Sequence, residues 1–272
     1  MVKTKKSILT FLVLCFILSS ICCYFIIKYK IMNLAYILMW CPGIAAILTC
    51  LIFHRGENAL NFRKVRLKYI FAGIFLPLSY CGVSYGIYLL IFGRNVIERN
   101  ILAELLQMPG TLLLHASIFF ITALGEEIGW RGYLAPKLNE LYGFQKGALI
   151  SGIIWALWHL PLIVTGYASD LPLWYQVPIY MLQCIFMAYP MFVLSIKSKS
   201  VWPAALMHFV HNFVIQLLLD QSIGGNLRPY LVGETGALSI LLLLGIAVMY
   251  ASKYKYLNTP TRKSHFYSRR SY

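Results

Sequence analysis

Apolar runs of about twenty residues recur along almost the whole chain, separated by short polar segments that carry most of the charge. Roughly 20 helical residues cross the ~30 Å hydrocarbon core of a bilayer, so runs of this kind read as membrane-crossing helices. The pattern predicts eight, at residues 7–27, 31–53, 69–92, 101–124, 146–165, 173–196, 201–219 and 236–252. The expected fold class is all-α, a polytopic transmembrane helical bundle. Pro161, Pro178 and Pro190 fall in the fifth and sixth spans, where kinks or broken helices are expected. Neighbouring helices in a membrane can satisfy the backbone groups that such breaks set free. "GVSYG" sets Gly82 and Gly86 four residues apart in the third span, the spacing of a close helix-packing face.

Composition agrees with that pattern. The 272 residues are 60% hydrophobic and 12% charged, which leaves no room for a sizeable soluble domain. A net charge of +15 raises the question of nucleic acid, and the distribution of charge answers it. When the connections are assigned alternately to two sides, 19 of the 24 basic residues fall on the side of the N-terminus and five on the other. The positive-inside rule then places both termini in the cytoplasm, and the plasma membrane is the expected location. The surplus is a topology signal with some attraction to anionic membrane lipid, and nucleic acid is not an expected partner.

The opening "MVKTKKSILTFLVLCFILSSICCYF" has an apolar run long for a signal peptide and no small-x-small cleavage site after it. It is expected to remain as the first span. All seven cysteines fall inside predicted spans and read as small apolar groups. No disulfide framework or metal-type cysteine spacing is visible, nor any internal repeat of the kind that marks inverted-repeat transporters. The tail 253–272 is basic and rich in tyrosine and serine.

Ionisable residues at membrane depth each cost about 2.5–3.5 kcal/mol at a helix centre on insertion scales, so they are rare and usually functional. Three clusters stand out. In "GEEIGWRGYL" (125–134), Glu126 and Glu127 close the fourth span and Arg131 follows. Glu127 and Arg131 are spaced i, i+4 and can pair on one helix face. Glu126 points about 100° away without such a local partner, free for proton transfer. In "WALWHLP", His159 sits in the fifth span one turn after Trp155. In "HFVHN", His208 and Asn212 share one face of the seventh span, and His211 lies between them. Each cluster has a bland alternative: an interfacial charge anchor, a hydrogen-bonded core histidine and an interhelical clasp. His115 reads as structural.

Three spans thus each carry polar groups that need partners inside the bundle. One shared hydrated cavity would serve them all, opening on the cytoplasmic side where Glu126 lies. A carboxylate and a histidine aimed at one water can deprotonate it. A second histidine and an asparagine can donate to a developing oxyanion. That set suits amide hydrolysis without a covalent nucleophile, and no serine or cysteine nucleophile motif is present. Two histidines and a carboxylate (Glu126, His159, His208) are also a zinc ligand set, although H-E-x-x-H is absent. Asn212 is a poor zinc ligand and a good oxyanion donor. No cofactor is required in the preferred reading; one divalent metal such as zinc is the alternative.

"EEIGWR", then "WALWH", then "HFVHN" resembles the CPBP family, which comprises type II CAAX prenyl endopeptidases and related bacterial bacteriocin-processing or self-immunity proteins. The resemblance covers about residues 100–220. It implies three regions: N-terminal spans at 1–99, a catalytic helical core at 100–220, and a last span with a basic cytoplasmic tail at 221–272. It further implies an intramembrane endopeptidase, of a family often called metalloprotease, acting on a membrane-associated protein or peptide, with CAAX-type prenylation one option. By the same resemblance, Glu126 activates water together with His159, and His208 and Asn212 support the oxyanion. Glu127 and Arg131 support the first motif. Trp155 stands where the family often has phenylalanine. The competing expectation is a non-enzymatic membrane protein, such as a self-immunity factor, a scaffold or a transporter.

Overall fold

A computed structural model describes residues 2–166 and 171–258. The tail's Arg262, Lys263, Arg269 and Arg270 lie outside the described residues. Helix α1 (Val2–Tyr29) is followed by the short α2 (Leu34–Leu38) and by α3 (Cys41–Phe53). Helix α4 is Leu67–Phe92, and α5 (Ile101–Leu106) precedes α6 (Pro109–Glu127). A π-helical segment, Ile128–Leu134, joins α6 to α7 (Ala135–Ile163). Helix α8 is Leu173–Ser198, and α9 (Trp202–Asn212) runs into a second π-helical segment, Phe213–Leu219. A single turn, α10 (Arg228–Leu231), leads to α11 (Ala237–Lys253).

The chain is an integral, multi-pass membrane protein built as a helical bundle. Among the described residues, six helical stretches are long and apolar enough to cross a membrane, and the apolar α11 is shorter. One of the six, Pro109–Ile163, is 55 residues long. At 1.5 Å per residue a straight helix of that length would reach roughly 80 Å, far beyond a bilayer, so it must fold back. Gly143, at φ 73° and ψ −177°, supplies the break in a conformation open to glycine. The fourth and fifth expected spans are the two limbs of this stretch. The fourth begins at Pro109 and not at 101. Proline is well suited to a helix's first turn, where its missing N–H costs nothing, and the preceding residues form the separate α5.

The prolines of the fifth and sixth spans do not break their helices. Helix α7 continues through Pro161 and α8 through Pro178 and Pro190. The glycine spacing of the third span was also misleading. A Cβ added at Gly82 or Gly86 would meet nothing within 4 Å, whereas one at Gly73 would collide with the carbonyl of Pro203 on α9. Gly73 is therefore where α4 lies closest to α9, and Gly82 and Gly86 are not a close-packing face.

Alternation along the chain divides the bundle into two ends. The 54–66 connection, the turn through Gly143 and the 199–201 connection share one end with the basic N-terminus. The connections at 30–33, 93–108 and 220–236 share the other. Helix α7 packs along α8, α4 along α9, and α1 along α3. The core centres on the first π-helical segment. The Phe11 ring of α1 lies 5.8 Å from Trp130 and 5.0 Å from Tyr133, and the Trp158 indole donates to Ser19 Oγ at 2.7 Å. Close approach completes the packing, since a Cβ at Gly129 would come within 2.6 Å of Pro42.

Overpacking a tight contact typically costs about 1–3 kcal/mol. Gly73→Leu should lower the detergent-solubilised melting temperature by several degrees, whereas Gly82→Leu should leave it within about one degree. Thermal unfolding of the two variants checks this.

Candidate active site

Glu127 is the last residue of α6, and Arg131 lies within the π-helical segment that follows; both are fully buried. Arg131 Nη1 donates to Glu127 Oε1 at 2.9 Å, the pair that the i, i+4 spacing predicts. His208 Nδ1, from α9, donates to the same oxygen at 3.0 Å. The guanidinium lies 4.2 Å from the Trp155 ring centroid, a cation–π contact with α7. Ser195 Oγ, on α8, donates to the Arg131 carbonyl at 2.6 Å. The two residues of this buried ion pair thus tie five helical elements together: α6, the π-helical segment, α7, α8 and α9.

Glu126 faces another way. The spacing argument expected it to lack a local partner, and the structure corrects this. The indole N–H groups of Trp155 and Trp130 donate to Glu126 Oε2 at 2.9 and 3.3 Å. Trp130 is one turn away on the same strand of helix, and Trp155 arrives from α7. A buried indole needs an acceptor, and this carboxylate is the one within reach. Both bonds fall on Oε2, so Oε1 has no protein partner among the described residues. The tryptophan that replaces the family's usual phenylalanine therefore contributes a donor.

His159 Nδ1 lies 2.9 Å from the Trp155 carbonyl. A carbonyl only accepts, so Nδ1 carries the proton and the neutral ring keeps its lone pair on Nε2. Trp158 and Tyr180 flank the ring at centroid distances of 4.7 and 5.3 Å. Glu126, His159, His208 and Asn212 all line one cavity of about 610 Å³. Glu127 and Arg131 are not among its lining residues and act as its frame. His115 Nδ1 donates to the Thr111 carbonyl of its own helix, 2.8 Å away, in keeping with a structural role.

Two features differ from expectation. The cavity does not open where Glu126 ends its span. Its lining continues past Tyr180 and Gln183 to Asp220, Arg228 and Glu234, and past Met32 and Tyr36. Those residues belong to the bundle end away from the basic connections, so Glu126 forms the floor. Second, the resemblance gives His211 no role, yet it is buried and lines the cavity. Its Nδ1 is 2.6 Å from Tyr80 Oη and its Nε2 is 3.1 Å from Gln183 Nε2. The signal was present in the sequence as a second imidazole at membrane depth. Its partners lie on α4 and α8, which spacing within one helix cannot reveal.

The three groups weighed as metal ligands do not gather as a ligand cluster. Among the described residues, no three His, Cys, Asp or Glu side chains are placed to hold a metal ion. The arrangement as it stands does not fit a zinc site.

The sequence profile of the type II CAAX prenyl endopeptidase Rce1-like family matches residues 108–214, the stretch that carries all three motifs. The chain is also 29% identical over 141 residues to "CAAX prenyl protease 2" of Methanococcus maripaludis. That stretch is 50% of this chain and 49% of the relative, so the match spans about half the length of the curated relative. The resemblance carried by the motifs is shown by both comparisons.

Removing one partner of a buried ion pair typically costs about 3–5 kcal/mol, because a charge is left uncompensated. Arg131→Met should therefore destabilise the protein strongly, whereas Glu126→Gln, which keeps an acceptor for both indoles, should change stability by less than about 1 kcal/mol. Equilibrium unfolding in detergent compares the two.

Proposed function

We propose that this protein is an intramembrane endopeptidase that hydrolyses a peptide bond of a membrane-associated substrate. The observation that carries this reading is the meeting of Glu126, His159, His208 and Asn212, from three helices, around one cavity. The likeness of residues 108–214 to a prenyl endopeptidase family supports it.

In this reading Glu126 takes a proton from the attacking water through its unoccupied Oε1. The Trp155 and Trp130 donors hold the carboxylate in place as it does so. His159, its tautomer set by the Trp155 carbonyl, offers Nε2 as an acceptor for the water's second hydrogen. His208 is held through Nδ1 by Glu127, which leaves Nε2 to face the cavity. Protonated at both nitrogens, it donates from Nε2 to the oxyanion, beside the Asn212 amide. No step is routed through a metal. Apolar groups such as Phe119, Leu162 and Met187 line the same cavity and suit a lipid-modified or membrane-embedded segment.

Orientation bears on the substrate. With both termini in the cytoplasm, at the plasma membrane, the lining residues Asp220, Arg228 and Glu234 lie on the side away from the cytoplasm. That favours a substrate delivered from the bilayer or the outer face over a cytoplasmic CAAX protein. A self-immunity factor acting without hydrolysis is the second reading, and the same outward-facing cavity would serve it as a binding site.

Two experiments test these points. Glu126→Gln, His159→Ala and His208→Ala are each expected to lower cleavage of membrane-tethered peptides by roughly 10²–10⁴-fold in kcat while the folded protein is retained. Unchanged turnover in all three would refute the site. For orientation, a membrane-impermeant thiol reagent should label Gln221→Cys in intact cells and Arg55→Cys only after permeabilisation. The reverse pattern would invert the assignment.

A further inference from the structure

The cavity has a second polar wall that the mechanism above does not use. Glu234 stands on the tight connection between α10 and α11 and lines the cavity. The connection is anchored on both sides. Tyr175 Oη lies 2.7 Å from the Tyr230 carbonyl and 3.1 Å from that of Thr235, and Thr235 Oγ1 donates to the Pro229 carbonyl at 2.9 Å. Glu234 Oε1 accepts from Gln216 Nε2 at 2.7 Å and lies 3.8 Å from His211 Nε2. Its Oε2 has no protein partner among the described residues.

Gln183 provides an independent observation. It is 4% exposed, lines the cavity beside His211, and its buried Oε1 has no hydrogen-bond partner among the described residues. An unpaired buried amide oxygen is costly to leave unmatched and suits an N–H that arrives with a ligand. An arriving N–H and a nearby carboxyl are what the departing half of a cleaved amide brings and needs.

We propose that Glu234 is the general acid for the leaving amine, with Gln183 Oε1 receiving the substrate amide N–H and Gln216 positioning the acid. The inference rests on the endopeptidase reading. In the cleavage step, water's oxygen bonds to the carbonyl carbon and one of its protons goes to Glu126. The C–N bond then breaks, its electron pair stays on nitrogen, and Glu234 gives its proton to that nitrogen. The products are a carboxylic acid and an amine. Glu126 is left protonated and Glu234 ionised, and transfer of one proton between them through cavity water restores the start. Burial raises the Glu234 carboxyl above its ordinary range, with the nearby Asp220 carboxylate adding to this, while the Gln216 hydrogen bond opposes it. A carboxyl so placed holds a proton to give. In the proposed step Glu126 and Glu234 take opposite roles in one chamber.

An amine leaves poorly without a proton, whereas a nitrophenolate leaves readily without one. The test compares kcat for a membrane-tethered peptide amide and the matching nitrophenyl ester in the full-length wild type, Glu126→Gln and Glu234→Gln. Glu234→Gln is expected to lower amide turnover about 10²-fold more than ester turnover, and Glu126→Gln to lower both together. If Glu126→Gln leaves both reactions intact, the endopeptidase reading fails, and this inference with it. If Glu126→Gln abolishes both but Glu234→Gln changes amide and ester equally, or neither, only the role of Glu234 is overturned.

Discussion

The ion pair between Glu127 and Arg131 is the constraint on which the remaining architecture rests. Neither side chain has any exposed surface, and the pair lies in a chain that crosses a membrane. Charges so placed are tolerated only when matched and hydrogen-bonded. Here the match requires several elements at once: His208 from α9 on the carboxylate, the Trp155 ring under the guanidinium, and Ser195 from α8 on the backbone. A helix that shifted would strand a charge. The pair therefore fixes where α6, α7, α8 and α9 stand relative to one another, and so fixes the cavity between them.

Within that frame the two adjacent glutamates diverge. Glu127 binds Arg131 and His208 through Oε1 and does not line the cavity, whereas Glu126 does. Glu126 is held on one oxygen by two indoles, and in the proposed mechanism its other oxygen takes the proton of water. The same division recurs in α9, where His208 joins the frame through one nitrogen and faces the chamber with the other. The far wall, with Glu234 and His211, gives the chamber a second acidic group at a distance from the first. In the proposed mechanism the cavity accepts a proton at Glu126 and returns one from Glu234.

Much of this was legible in the sequence, and the limits have physical causes. Apolar runs of membrane length announced the helices, because a helix satisfies its own backbone in hydrocarbon and a run of about twenty apolar residues has the length to cross it. The Glu127–Arg131 pair was legible because its spacing is local. Partners on other helices were not: the indole of Trp155 on Glu126, the ring of His208 on Glu127, and Tyr80 on His211. Gly82 and Gly86 had the spacing of a packing face, yet Gly73 holds that place, because spacing does not say which side of a helix meets a neighbour. The cavity was expected to open at the end of the span that carries Glu126. A residue's position along one helix does not show which end of a bundle is left open by the others.

The most direct measurement is an experimental structure of the Glu126→Gln variant with an uncleaved membrane-tethered peptide bound. The account predicts the scissile carbonyl inside the cavity, its carbon facing position 126 and its oxygen within hydrogen-bond reach of His208 and Asn212. A peptide seated outside the chamber, or one whose carbonyl lies beyond reach of all three, would contradict it.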